Sequence, residues 1–222
     1  TQEALHAWYW RHSPRAPMEL VALTHSAYGS LELVRYAERI SVYHSGKLSL
    51  TLPDAEARNS LAHTLMLQRP VGARVLLING MLDSALLRIL DHSPVSVDCV
   101  EEPPDNRHVY EPYLADAHAE ALRSAAVTVI FRDPYAYLTS VPHKYDVIMV
   151  LLPEPSTAGT ARYCSAEFFR SAAIALAEGG VLAVGGVSGC GAYATEAFLA
   201  RNGAIYRTAW EAWGGTVTIT GG

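Results

Sequence analysis

The chain has 222 residues, half of them hydrophobic, and a net charge of −5. That is enough apolar material to bury a proper core, in one large domain with a small appendage. The negative balance, with no Lys/Arg cluster to face phosphates, argues against nucleic acid as a partner.

No apolar run reaches the length of a membrane-spanning helix. Val147 to Pro153 is too short, and Ala172 to Gly186 is interrupted by Glu178. The cysteines Cys99, Cys164 and Cys190 form no CxxC pair and leave one over, so they read as small apolar residues. The histidines are scattered without ligand spacing, and no metal is expected. A soluble, cytoplasmic domain is the default expectation. The start at Thr1 rather than Met fits a piece of a longer chain, including one held at a membrane.

Residues 1–18, TQEALHAWYWRHSPRAPM, show no clean period and read as a surface arm, whose Trp8, Tyr9 and Trp10 need a partner surface. Residues 19–53 alternate: Leu31, Leu33 and Val34, then Ile40, Val42 and Tyr43, then Leu48, Leu50 and Leu52. This predicts a small antiparallel sheet of three or four strands, with a tight turn at Ser45-Gly46. Residues 54–222 make the larger domain. Asp54, after Pro53, is placed to cap a helix running to about Gln68.

The centre of that domain is Arg74 to Glu102. Val75-Leu76-Leu77-Ile78 reads as a strand buried on both faces, Asn79-Gly80 as a turn, Met81 to Leu90 as a helix and Val95 to Val100 as a second strand. The second strand ends on Glu101 and Glu102, about 20 residues past the turn, where an acid can meet a ribose hydroxyl. A helix over Asn106 to Ser124 follows, then a strand over Val127 to Phe131 and a short helix opened by Asp133-Pro134. Tyr145 to Leu152 is a fourth strand. Cys164 to Ala177 is a helix closed by Gly179-Gly180, and Val181 to Val184 is a fifth strand. Helices at Tyr193 to Leu199 and Arg201 to Trp210, and a strand at Thr216 to Thr220, complete the pattern. The alternation defines an α/β fold: a doubly wound, mostly parallel sheet preceded by the small antiparallel one. Ligands in such sheets bind at the carboxyl ends of the strands. Those ends are Asn79-Gly80, Glu101-Glu102, Arg132-Asp133 and Leu151 to Pro155.

The segment LLPEPSTAGTARYCSAEFF, Leu151 to Phe169, resembles the spermidine synthase family, and in particular a bacterial spermidine synthase-like branch with "LPDPSTAQLNRFYTxEFF" after its fourth strand. Tyr28 to Val34, Ser41 to Asp54, His63 to Ile78 and Ala200 to Thr208 also resemble stretches of that family, so the likeness covers roughly residues 25–220. The resemblance implies an S-adenosylmethionine-dependent methyltransferase-like Rossmann fold. It also implies transfer of an aminopropyl group from decarboxylated S-adenosylmethionine to putrescine, releasing methylthioadenosine. Such transfer needs the sulfonium held in line with the amine, a carboxylate to take the amine's proton, and acids for the far end of a cationic diamine.

Carried over position by position, the resemblance is incomplete. The family's GGGDGG turn stands here as Asn79-Gly80-Met81-Leu82-Asp83-Ser84; only Gly80 survives, and Met81 is expected to project into cofactor space. The family's VELD is Val100-Glu101-Glu102-Pro103, so Glu101 matches the ribose acid and Pro103 replaces the later Asp. Asp133 matches the acid near the adenine. Leu151 occupies the position of the catalytic aspartate, Glu154 the second acid of that segment, and Asn59 the glutamate expected on the amine side.

Each residue also has a plainer reading. Glu101 can be a strand-end acid capping the next helix or facing solvent, Asp133 an N-cap before Pro134, and Gly80 a turn glycine. Glu154 can be a loop carboxylate between prolines, and His63 a satisfied core histidine. The expectation is a chain with no catalytic residue, a vestigial or weak cofactor set of Gly80, Glu101 and Asp133, and no bound cofactor. Decarboxylated S-adenosylmethionine or methylthioadenosine would bind only if the cleft is still open. Three functions follow: a non-catalytic subunit with a protein partner or a second copy of itself, an active polyamine aminopropyltransferase with a rearranged site, or an adenosine-ligand binder without turnover. In the first, the N-terminal aromatics with Trp210 and Trp213 are the expected contacts. The resemblance further implies a C-terminus shorter than the family's.

Overall fold

The structure, a computed structural model, describes residues 2–12, 18–26, 29–44, 46–52, 59–69, 71–103, 107–142, 144–151, 155, 158–185 and 195–213. Helix α1 (Gln2–Arg11) precedes four strands, β1 (Glu19–Ser26), β2 (Gly29–Tyr36), β3 (Arg39–His44) and β4 (Lys47–Leu52). They pair antiparallel in chain order. Gly46, at φ +76°, supplies the left-handed residue before β4.

Residues Gln2–Arg11 are helical rather than irregular, for a tertiary reason. The Trp10 indole N–H donates to the Glu32 carboxylate at 2.9 Å, and the Trp10 ring lies 4.4 Å from that of Tyr43. Glu32 and Tyr43 are partners across β2 and β3, so Trp10 covers one point of the ladder and is itself buried. Trp8 and Tyr9 stay exposed.

The larger unit runs α2 (Asn59–Met66), β5 (Arg74–Ile78), α3 (Ala85–Leu90), β6 (Ser96–Glu101), α4 (Arg107–Tyr110), α5 (Asp116–Leu122), β7 (Val127–Phe131), α6 (Pro134–Leu138), β8 (Tyr145–Val150), α7 (Ala158–Ala161), α8 (Ala166–Ala175), β9 (Leu176–Val184) and α9 (Glu196–Trp213). Its five strands are parallel in the order β7-β6-β5-β8-β9. Period-two alternation along β5 explains why both faces are covered. Val75 and Leu77 join a core with Leu65, Leu86, Ile89 and Ala121, continuous with Leu33 and Val42 of the small sheet. Leu76 and Ile78 join a second core with Leu138, Phe168, Ala172 and Ala209. The fold is the expected doubly wound sheet.

Several boundaries differ from the sequence expectation. The helix expected over Asn106 to Ser124 is broken between α4 and α5, where a 3₁₀ turn, Glu111–Tyr113, carries Pro112. Helix α8 starts at Ala166 because the Ser165 hydroxyl accepts the Phe168 N–H at 3.2 Å. It stops at Ala175 because Leu176 turns extended and pairs with Tyr145, so Gly179-Gly180 lie inside β9 rather than closing the helix. The two helices expected after Tyr193 are one, α9. Asp54, Ser45, Tyr193 and Thr216 to Thr220 lie outside the described residues. Among the described residues, no helix is long and apolar enough to cross a membrane.

One polar cluster lies in the second core. Asp98 Oδ2 accepts from the Tyr145 hydroxyl at 2.6 Å, the Tyr137 hydroxyl at 3.0 Å and Lys144 Nζ at 2.6 Å. Burial pushes the Asp98 carboxyl up, but these three donors outweigh it and hold the group below its ordinary range. Its stabilising contribution is therefore present above the unfolded value, about pH 4, and lost as pH falls through the lowered folded value. Asp98→Asn should destabilise the protein at pH 7 by about 1–3 kcal/mol, since two hydroxyls and an ammonium lose their charged acceptor. Urea midpoints of the two proteins should converge towards pH 2; a gap constant across that range would rule out the carboxylate as its origin.

Candidate functional site

The carboxyl ends of the parallel strands meet at one edge of the sheet and are stitched together there. Asn79 N–H donates to Val100 O at 3.0 Å, Arg132 N–H to Glu101 O at 3.0 Å and Leu151 N–H to Ile78 O at 2.9 Å. The structure thus brings Gly80, Glu101, Asp133 and Leu151 to one edge. Glu154 lies outside the described residues, as does the side chain of Asn59.

The turn after β5 is tightly built. Asn79 takes φ +56°, a conformation its short polar side chain tolerates. A Cβ on Gly80 would lie 2.5 Å from Leu77 Cγ, so core packing alone excludes a larger residue there. Met81 is held at both ends of its backbone: its N–H donates to Glu101 Oε1 at 2.7 Å, and its carbonyl accepts from His118 Nε2 at 2.6 Å. Asp83 Oδ1 then accepts the Ala85 N–H at 2.9 Å. These bonds fix 81–84 as a turn, and α3 begins at Ala85 instead of Met81. The Met81 side chain is buried in the first core, the cluster that also contains Tyr110 and Leu151.

Glu101 is the acid that anchors this turn. Burial is the main influence on its carboxyl, raising it; the Met81 amide and the Cys99 thiol, 3.6 Å away, offset part of the rise, and nearby Glu102 adds to it. The net result is a value of about 7. The Gly80 amide is a further, smaller influence that lowers it.

Asp133 and Glu102 are bridged. Asp133 Oδ1 accepts the Ala136 N–H at 2.9 Å, capping α6, and Oδ2 accepts from Arg162 Nη1 at 2.7 Å. Arg162 Nη2 donates to Glu102 Oε1 at 3.0 Å, and the Tyr163 hydroxyl donates to the same oxygen at 2.8 Å. Burial, the Glu102 charge and that bond push the Tyr163 phenol well above its ordinary range. Arg162, Tyr163 and His118 had no role in the sequence reading, and Glu102 stood there only with Glu101 as a strand-end acid. The available signal was a lone arginine in the Pro-rich segment whose fold returns to an edge rich in acids.

Leu151 is 2 % exposed. His63, on α2, is paired: its Nδ1 lies 2.8 Å from His92 Nε2, just after α3, a contact between packed helices away from the strand ends.

A strand-order 3-2-1-4-5 sheet with an acid after its second strand, preceded by a small antiparallel sheet, defines a methyltransferase-like Rossmann fold of the S-adenosylmethionine-dependent kind. The spermine/spermidine synthase domain profile matches residues 56–198, and the chain belongs to that family. It is 30% identical over 173 residues to a polyamine aminopropyltransferase of Mycobacterium tuberculosis, covering 74% of this chain and 32% of that protein. It is 27% identical over 140 residues to polyamine aminopropyltransferase 2 of Hyperthermus butylicus, covering 62% of this chain and 46% of that one. The chain thus spans 32% and 46% of the length of these relatives. In fold it is similar to a spermidine synthase solved in complex with the transition state analogue AdoDATO: TM-score 0.72, 16% identity, 88% of this chain and 66% of that one. It is also similar to the spermidine synthase of Thermotoga maritima, with TM-score 0.68, 17% identity, and coverage of 88% and 65%.

The raised Glu101 carboxyl has a measurable consequence. A group held above its unfolded value contributes fully to stability below the unfolded value, near 4.5, and that contribution is lost as pH rises through about 7. Glu101→Gln keeps an acceptor for the Met81 amide and removes the charge. It should match the wild type at pH 4 and exceed it at pH 8, by on the order of 1–3 kcal/mol, in urea unfolding. Equal stabilities at pH 8 would mean that Glu101 ionises there without cost.

Proposed function

We propose that this chain is a spermidine synthase-like domain that has lost aminopropyl transfer and serves as a non-catalytic structural or interaction subunit. One observation carries the reading: at the end of β8, where the family resemblance puts the proton-accepting acid, stands a buried leucine. Leucine neither takes a proton from an amine nor holds an ammonium ion. Losing a positioned base costs roughly 10²–10⁴-fold in rate.

The surroundings support the same reading. Met81 fills core space beside the turn where the family has small residues, and both carboxylates at the adenine side are engaged by Arg162. Exposed Leu5, Trp8 and Tyr9 on α1 and Trp210 on α9 offer apolar surface for a protein partner or a second copy of the chain.

Two observations favour other readings. The relatives named polyamine aminopropyltransferase favour an active enzyme with a rearranged site acting on putrescine and decarboxylated S-adenosylmethionine. The acid Glu101, kept at the end of β6 where an acid can meet a ribose hydroxyl, favours a binder of methylthioadenosine or a related adenosine ligand without turnover.

The three readings separate in two measurements. Purified protein given decarboxylated S-adenosylmethionine and putrescine should release methylthioadenosine at least ~100-fold more slowly than the ~10 s⁻¹ typical of enzymes. Turnover at an ordinary rate would remove the proposal. Calorimetric binding of methylthioadenosine without turnover would replace it with the adenosine binder.

A further inference from the structure

We propose that the outer face of the small sheet, with α1 lying on it, rests on an anionic lipid bilayer, with Trp8 and Tyr9 at the level of the headgroups. Of the apolar surfaces named above, that of α1 continues onto the sheet beneath it, and this continuity points to an occupant larger than a single contact. The inference is independent of whether the strand ends of the larger unit carry out chemistry.

The two faces of the small sheet have different neighbours. Leu31, Leu33, Ile40 and Val42 point into the first core. The residues that alternate with them point the other way. Glu32 is on that outer face and holds α1: the Trp10 indole donates to it at 2.9 Å, and His6 Nδ1 lies 3.4 Å from it. His6 and Trp10, one turn apart, therefore form the inner side of α1. Leu5, Trp8, Tyr9 and His12, at i, i+3, i+4 and i+7, form its outer side. Leu5, Trp8 and Tyr9 are each more than half exposed, and the His12 ring stacks on Trp8 at 4.8 Å.

Two residues of the sheet extend this surface. Tyr36 shares the face of Glu32 by alternation along β2. Leu48 shares it as the cross-strand partner of Tyr43, which itself lies opposite Glu32. Both are more than half exposed. Large apolar side chains gathered on one side of one sheet mark an interaction surface rather than scattered exposure.

Exposed charge on this side is mainly basic, although the chain as a whole carries −5. Arg39 lies opposite Tyr36, and Arg11 stands in the last turn of α1. His25, opposite Ser30, is exposed on the same face. Glu19 is paired with Arg35 at 3.1 Å, and Glu38, in the turn beside Arg39, is the one exposed acid set against them among the described residues named here. Basic side chains complement anionic headgroups, each raising affinity about fivefold near the membrane surface. Trp and Tyr combine an apolar ring with a polar N–H or O–H, which suits them to the headgroup level. A helix standing on a sheet is also a convex ridge. A bilayer moulds itself around such a ridge, whereas a protein would have to supply a matching groove. Helix α1 is already folded and tied down through Trp10, so docking needs no helix to form.

The test is co-sedimentation of the full chain with vesicles of mixed phosphatidylglycerol and phosphatidylcholine, and with vesicles of phosphatidylcholine alone. Binding should favour the mixed vesicles by at least ~5-fold and weaken as salt is added. The double variant Trp8→Ser/Tyr9→Ser should bind them at least ~10-fold more weakly than wild type. Arg11→Gln and Arg39→Gln should each cost about fivefold on mixed vesicles and nothing on phosphatidylcholine. All four side chains are exposed, and circular dichroism checks that the variants fold. Brominated lipid should quench the tryptophan fluorescence of wild type, and Trp8→Phe should lose that quenching. Wild type that neither sediments with mixed vesicles nor is quenched overturns the proposal. So does equal binding by the serine variant, which would move the contact to another surface. A concentration-dependent dimer that the serine variant loses, without vesicle binding, would assign the face to a second copy and overturn it as well. Turnover of putrescine by wild type would remove the non-catalytic reading and leave this comparison intact.

Discussion

The carboxyl edge of the parallel sheet depends on the double anchorage of Met81. A carboxylate from the end of β6 holds its amide, and a buried histidine of α5 holds its carbonyl. Hydrogen bonds to a charged or buried group are costly to leave unmade, so the two fix one conformation of the turn after β5. The late start of α3, the inward side chain of Met81 and the closeness of Gly80 to Leu77 all follow from that conformation. In a nucleotide-binding βαβ unit this turn is where backbone approaches the ligand. Here its amide is spent on Glu101, the acid that the family resemblance sets at the ribose.

The same edge shows how charge is managed when acids converge. Glu101 sits deep, shares its oxygen with an amide and a thiol, and rises to about 7. Glu102, one residue on, keeps a guanidinium and a phenol. Asp133 divides its oxygens between a helix cap and the same guanidinium. Three carboxylates at neighbouring strand ends are thus tolerated by two devices: desolvation beside backbone amides, and bridging by one arginine. The first leaves a group able to exchange a proton near neutral pH, and the second leaves groups locked in ion pairs.

Much of the fold was legible in the chain, and the physical reason is locality. The run Val75 to Ile78 has no polar residue, and only a strand covered on both faces uses such a run economically. Leu31, Leu33, Ile40 and Val42 alternate because one face of the small sheet meets the core, and all four are buried. Asp133 caps α6 as Asp-Pro at a helix start suggests. What the sequence hid depends on partners far along the chain. Helix α1 rests on a bond between Trp10 and Glu32, 22 residues apart. The turn at Met81 rests on residues 20 and 37 positions away. Arg162 meets acids 29 and 60 positions away. No local period encodes such contacts, and the family resemblance matches Glu101, Asp133 and Arg162 one position at a time without saying which of them meet.

An acid at position 151 and the present fold make opposing demands. Leu151 is 2 % exposed and shares an apolar cluster with Met81, Leu82 and Tyr110. An ionised carboxylate there would be desolvated, with Glu101 nearby in the same edge, and its pKa would rise for both reasons. An enzyme accepts that cost because a poised base is what its chemistry requires. Once transfer is no longer needed, substitution by leucine removes the desolvation cost and adds apolar contact at the same time. The same logic covers Met81 in place of a glycine: it restores side-chain packing and reduces the backbone freedom lost on folding. On the proposed reading, then, the site has not decayed at random. The departures at Met81, Leu82 and Leu151 move this edge of the sheet towards the composition of an ordinary core.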